Sequence, residues 1–173
     1  LRVQRGELLG VATHVEAQGD RASLGSLVGD VTLFHHGLDL ALGLVAGHGH
    51  IERVIVLGGA GGRLDHLLGN VAVLTSPRYA HLGIEWLTAT DRAHVVWDHV
   101  QLHGTPGDRV SLLAVGGPAR GVTTRGLRWQ LESATLDPGV SLGVSNEFAG
   151  SVATISVTEG RLLAIQACEP AYP

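Results

Sequence analysis

The chain has 173 residues, 45% of them apolar, and a formal charge of −4. That apolar content excludes a disordered protein and suffices for one good core or two small domains. The mild negative charge excludes attachment to nucleic acid or an anionic membrane by bulk electrostatics, so small molecules or protein are the expected partners.

The first 37 residues mix glycines and charges without sustained periodicity, and only residues 11–15 and 28–34 suggest strands. From 38 to 46, "LDLALGLVA" carries apolar residues at helical spacing and stops at Gly47 to Gly49. "RVIVLGG", residues 53–59, is a short β-branched run ended by glycines, the pattern of a buried strand in a parallel sheet. After it, Leu64, Leu67, Leu68, Val71 and Leu74 fall on one face of a helix that ends near Ser76 and Pro77. Residues 83–89, "GIEWLTA", suit another strand of that sheet, which makes a layered α/β unit.

Beyond residue 90 the texture changes to short segments separated by turn residues at a spacing near ten. These are "AHVVWDHVQLHG", "DRVSLLAVGG", "GVTTRGLRWQL", "VSLGVSNEF", "SVATISVTEG" and "RLLAIQA". An antiparallel sandwich or barrel is expected there, with "TEGR", residues 158–161, as the turn of a hairpin between the last two strands. The fold class is therefore α/β plus all-β: an incomplete α/β domain over 1–90, then an antiparallel β-sandwich over 91–173.

The lone Cys168 cannot form an internal disulfide and reads as inert. No apolar run approaches the roughly 18 to 20 residues that span a bilayer, and the opening residues lack a signal-peptide pattern, so a cytoplasmic location is expected. Methionine is absent, and a chain opening on Leu1 is expected to be a fragment or a trimmed reading frame.

Candidate chemistry begins at "GGAGGRLDH", residues 58–66, set between a strand and a helix. Glycines there let backbone N–H groups approach an anion, toward which the helix also points its positive end. Arg63 could grip phosphate oxygens, Asp65 could hold a metal ion or a substrate hydroxyl, and His66 could donate to phosphate or orient Asp65. An ordinary β–α turn, with Asp65 complementing the helix dipole, explains the same residues equally well. Neither a Walker loop nor a dinucleotide fingerprint is present. The ten histidines lack the spacing of a structural metal site, and His81, His94, His99 and His103 read as solvated strand or loop residues. Trp129 suits either a sandwich core or a flat surface for an aromatic ligand, while Ser145 and Asn146 suit a turn.

Taken together, these segments resemble the thiamine pyrophosphokinase (thiamine diphosphokinase) family. "LGGAGGRLDHLLGNVAVL" is similar to its Gly-Gly-Arg-x-Asp-His-x-x-x-Asn signature, and "GVTTRGLRWQL", "VSLGVSNEF" and "ISVTEGRLLAI" to its C-terminal pattern, so the likeness runs from about Asp39 to Gln166. The resemblance implies a catalytic α/β domain that binds ATP, a thiamine-binding sandwich, and a homodimer with active sites between subunits. It implies transfer of diphosphate from ATP to thiamine, giving thiamine diphosphate and AMP, with Mg²⁺ as the metal. Residue by residue it makes Arg63, Asp65 and His66 catalytic, places Gly61, Gly62 and Asn70 at the nucleotide, and sets Trp129, Ser145 and Asn146 against thiamine.

The departures lie upstream. The family's Gly-Asp-x-Asp-Ser and Lys-Asp-x-Thr-Asp motifs carry carboxylates for Mg²⁺, but here Leu33 and Phe34 stand at the Lys-Asp and His36 and Gly37 at the Thr-Asp. Gly29 and Asp30 are all that "LVGDVTLF" offers the first motif, so Asp30 and Asp39 are the metal candidates that remain. Losing such carboxylates predicts a large loss of rate. Two explanations stand: a degenerate relative that binds thiamine or its diphosphate without turnover, or a misread or truncated frame over the first 37 or so residues. The missing methionine and the abrupt recovery of pattern favour the second.

Overall fold

A computed structural model describes the backbone of residues 14–18 and the chain at 37–47 and 51–167. In chain order the elements are β1 (His14–Gln18), α1 (Gly37–Ala46), β2 (Arg53–Leu57), α2 (Leu64–Leu74), a short 3₁₀ turn (Pro77–Tyr79), β3 (Gly83–Leu87), β4 (Asp91–Val96) and β5 (His99–His103). There follow β6 (Arg109–Ala114), β7 (Ala119–Arg125), β8 (Ala134–Leu136), β9 (Asn146–Glu147), β10 (Val152–Ser156) and β11 (Leu162–Ala167). The expected strand at 28–34 lies outside the described residues.

The strands form two sheets, one ordered β1-β2-β3-β4-β11-β6-β9 and the other β5-β10-β7-β8. β2 and β3 run parallel, as the apolar β-branched run of β2 predicts, whereas β1 adds antiparallel to β2 and β4 antiparallel to β3. The boundary drawn at residue 90 thus falls between two strands that pair with each other, and the larger sheet is continuous across it.

Strand alternation lets this sheet serve two cores. In β4 and β11, Ala93, Val95 and Leu163 join a cluster with Leu38, Leu42, Val54, Ile84, Trp86 and Leu74 beneath the two helices. Val96, Leu162 and Ala164 point the other way, into a cluster with Leu112, Val122, Phe148 and Ile155 between the sheets. The α/β layer and the sandwich therefore share strands while keeping separate cores.

Four expectations change. "TEGR" is not a hairpin turn, because β10 pairs with β5 and β7 while β11 pairs with β4 and β6. The segment crosses from one sheet to the other, pinned by the Arg120–Glu159 bridge. Gly160 sits there at φ 85°, where a Cβ would come 2.2 Å from the Pro118 carbonyl oxygen. "AHVVWDHVQLHG" likewise divides into β4 and β5, one in each sheet, and "VSLGVSNEF" contributes only the two residues of β9. Lastly, the apolar stripe of α2 is only partly covered: Leu74 is buried, but Leu64 and Leu68 are 67% and 59% exposed.

Candidate functional site

The glycine-rich turn leaves β2 and enters α2. Gly58, Gly59 and Gly62 have φ of 79°, 78° and 90°, conformations that side-chain-bearing residues rarely adopt. Its walls are tied to the fold: Gly58 N–H donates to Leu87 O at 2.8 Å, Trp86 Nε1 donates to Gly58 O, and Asn70 Nδ2 donates to Gly59 O at 2.8 Å. Asn70 thus acts here by anchoring the turn from the middle of the helix. Added Cβ atoms on Gly61 and Gly62 would meet nothing within 4 Å, so these two positions face open space.

Arg63 is the N-cap residue of α2 and provides no side-chain cap to it. Its guanidinium instead lies on Asp65, donating through Nε at 3.0 Å and through Nη2, and Asp65 Oδ1 also accepts from His66 N–H at 3.0 Å. The Arg63 hydrogen bond is the main cause that holds the Asp65 carboxyl below its usual range, and its counterpart raises Arg63. Both side chains are largely exposed, so the pair is screened and separates at little cost.

Trp129 lies in the connection from β7 to β8 and is 52% exposed, so it is a surface rather than a core residue. Arg128 stacks on its ring at 4.8 Å from the centroid and is itself paired with Glu147 at 2.8 Å. Asn146 is buried, with Oδ1 accepting from Trp129 N–H at 3.1 Å and Nδ2 donating to Trp129 O at 2.6 Å. Ser145 precedes it at φ 61°, with its N–H donating to Ser111 Oγ at 3.0 Å.

The structure brings together the residues within each of these two groups but sets the groups far apart. One leaves β2 and the other is held by β9, with five strand spacings between them in the same sheet, roughly 24 Å at about 4.8 Å per spacing. Asp39 belongs to neither group. Its carboxylate accepts from the Tyr79 hydroxyl at 2.7 Å and pairs with Arg78 at 3.2 Å, and burial followed by this carboxylate pushes the Tyr79 hydroxyl up to about 12. Asp30 lies outside the described residues. Among the described residues no group of three or more His, Cys, Asp or Glu is arranged to hold a metal ion, and no helix is long and apolar enough to cross a membrane.

A third feature escaped the sequence reading. A cleft of about 680 Å³ opens where β5 and β10 overhang β3 and β4, lined among others by Glu85, His94, Gln101 and Thr154. Glu85 is buried yet paired with Arg53 at 2.9 Å and Arg92 at 3.2 Å. His94, expected to be solvated, is half-buried opposite Glu85 in register, and burial is the main cause that lowers its pKa. The antiparallel pairing of β3 with β4 across residues 88–90 brings these two together, and a boundary drawn at residue 90 hides it.

Residues 99–162 match the family described as thiamin pyrophosphokinase, vitamin B1 binding domain, and this span contains Trp129, Ser145 and Asn146. Thiamine pyrophosphokinase 1 of Oryza sativa subsp. japonica is 31% identical over 99 residues, which is 54% of this chain and 36% of the relative. The thiamin pyrophosphokinase structure from Geobacillus thermodenitrificans is 27% identical, covers 78% of this chain and 62% of its own, and superposes with a TM-score of 0.66. The chain resembles the thiamine pyrophosphokinases in sequence and in fold. The thiamine pyrophosphokinase structure from Bacillus subtilis, at 23% identity and a TM-score of 0.68, shares the fold over 77% of this chain and 63% of its own. The chain spans 36% to 40% of the length of its curated thiamine pyrophosphokinase relatives.

Proposed function

We propose that this chain carries the two halves of a thiamine diphosphokinase site, which transfers diphosphate from ATP to thiamine and releases thiamine diphosphate and AMP. The observation that supports this most is the exposed Trp129 within the segment that matches a vitamin B1 binding domain. Its uncovered surface suits a flat heteroaromatic ring.

The ATP phosphates bind at the turn of Gly61 and Gly62, where the backbone is open and α2 presents its positive end. Arg63 exchanges the Asp65 carboxylate for phosphate oxygens, which a screened surface pair allows at little cost. Asp65, released, and His66 face the reacting groups, while Asn70 keeps the turn in place. The thiamine hydroxyl oxygen attacks the β-phosphorus and gives up its proton to water, the bond from that phosphorus to the oxygen bridging it to the α-phosphorus breaks, and AMP leaves with that oxygen and the bond's electron pair. Charge neutralisation and positioning supply most of the rate in such transfers. Magnesium enters this proposal as the partner of ATP. Asp39 and Asp65 belong to separate groups, and among the described residues no three His, Cys, Asp or Glu are arranged to hold the ion, so no step is assigned to it.

The turn follows β2, near one edge of the sheet, and Trp129 lies beside β9 at the other, so in this proposal Trp129 of one copy faces the glycine turn of another. A homodimer in the cytoplasm is the proposed form. Incubating the purified chain with ATP, Mg²⁺ and thiamine is expected to yield AMP and thiamine diphosphate, and Trp129→Ala to weaken thiamine binding at least about tenfold. Thiamine binding without AMP would establish a binding protein without turnover. No thiamine binding would overturn both.

A further inference from the structure

We infer that Asn146 is a positioning residue that acts through Trp129, holding the indole in place by extending a strand ladder with its side chain. This inference rests on the proposed reading of Trp129 as the thiamine platform. The run from Gly126 to Trp129 lies antiparallel to the run from Asn146 to Ala149. Leu127 and Phe148 form a bridge, Ala149 N–H donates to Gly126 O at 2.9 Å, and Arg128 N–H donates to Glu147 O at 2.8 Å. The next position along this ladder is Trp129.

No backbone remains to pair with it. The main chain of Asn146 is engaged with Val110 in the pairing of β9 with β6, and Ser145, in the left-handed region, turns the chain toward Ser111. The Asn146 carboxamide takes over, giving Trp129 one acceptor and one donor as a neighbouring peptide group would. Its Oδ1 also accepts from Glu147 N–H at 2.9 Å, which fixes the amide's orientation. Asn146 is 5% exposed, and three of its hydrogen bonds are made within the protein. Such a residue has little capacity left for a ligand, whereas the indole it holds is half exposed.

The geometry also explains why the residue type matters. Aspartate keeps the acceptor but sets a second carboxylate oxygen against the Trp129 carbonyl, and alanine leaves both backbone groups of Trp129 without a partner. Neither change touches the ring.

The test combines amide hydrogen exchange at Trp129 in the ligand-free protein with thiamine titrations of Asn146→Ala, Asn146→Asp, Trp129→Ala and the double variant Asn146→Ala/Trp129→Ala. Expected are a rise of about tenfold or more in Trp129 exchange for Asn146→Ala and a loss of thiamine affinity of similar size, with Asn146→Asp falling between it and the parent. In the Trp129→Ala background, adding Asn146→Ala should change affinity by less than about twofold. Equal losses in both backgrounds would show direct contact with thiamine and overturn the inference. Unchanged Trp129 exchange in both Asn146→Ala and Asn146→Asp would overturn it too. If Trp129→Ala binds thiamine as well as the parent, the proposed function fails by itself, and the exchange data still decide whether the clamp exists.

Discussion

Gly61 and Gly62 stand side by side before α2, and replacing each with alanine separates binding from folding. Gly62 holds a φ of 90°, so alanine there is strained by about 1 to 2 kcal/mol and should lower the melting temperature by about 2 to 8 °C. Gly61 is outside that region and a Cβ on it meets nothing within 4 Å, so Gly61→Ala should leave stability unchanged or raise it by up to about 1 kcal/mol. If phosphate lies against this backbone, the same methyl group should weaken ATP binding about tenfold. Calorimetry and an ATP titration on both variants check this, and undiminished ATP affinity in Gly61→Ala would remove the phosphate from the turn. The glycine, arginine and aspartate types of this turn were legible in sequence because the chemistry is local. That Arg63 rests on Asp65 was not, since the spacing of the two residues says nothing of which partner the guanidinium chooses.

At the scale of elements, the sequence located α1, β2, α2 and β3 closely, the first three because each has an apolar pattern with a glycine or proline stop. It could not see pairings between distant segments. "TEGR" has the composition of a hairpin turn, yet the partners of β10 and β11 are chosen by which face each must bury, and they lie in different sheets. The pair of Glu85 on β3 and His94 on β4 comes instead from consecutive strands on either side of the boundary drawn at residue 90, and it carries a pH dependence. Burial lowers the His94 pKa in the folded chain, with Arg92 and Arg53 adding to the effect and Glu85 opposing it. Below about pH 6.5 the unfolded chain binds a proton there that the folded chain resists, so stability is full above that pH and declines as pH falls through it. Urea unfolding at pH 7.5 and 5.5 should show this decline reduced in His94→Gln, and an identical decline would place its source elsewhere. Periodicity also implied one covered stripe on α2, but Leu64 and Leu68, with Leu40 and Leu44 on α1, are exposed. A Leu44→Glu/Leu68→Glu variant should bind less of a hydrophobic dye and scatter less light at high concentration, with each change costing no more than about 0.5 kcal/mol in urea unfolding. Global unfolding of this variant would mean that these leucines are covered in solution.

For the whole molecule the governing fact is the continuous sheet. It places the glycine turn near one edge and Asn146, with Trp129 beside it, at the other, five strand spacings away, which is why the proposed site joins a turn from one copy to a platform from another. A site shared between two copies has a consequence that a site within one chain lacks. Take one variant with a damaged turn, Asp65→Asn, and another with a damaged platform, Trp129→Ala, each expected to lose nearly all transfer activity. Mixing them under conditions that exchange subunits produces mixed dimers in which one site combines both lesions and the other combines neither. With random exchange about half of the dimers are mixed, so about a quarter of the parental activity should return. The AMP released by the mixture, followed over the time of subunit exchange, measures this directly. Recovery that never rises above the sum of the two separate variants would mean that each chain assembles its site alone, and the 24 Å separation inferred from strand spacing would then have to be bridged by residues outside the sheet.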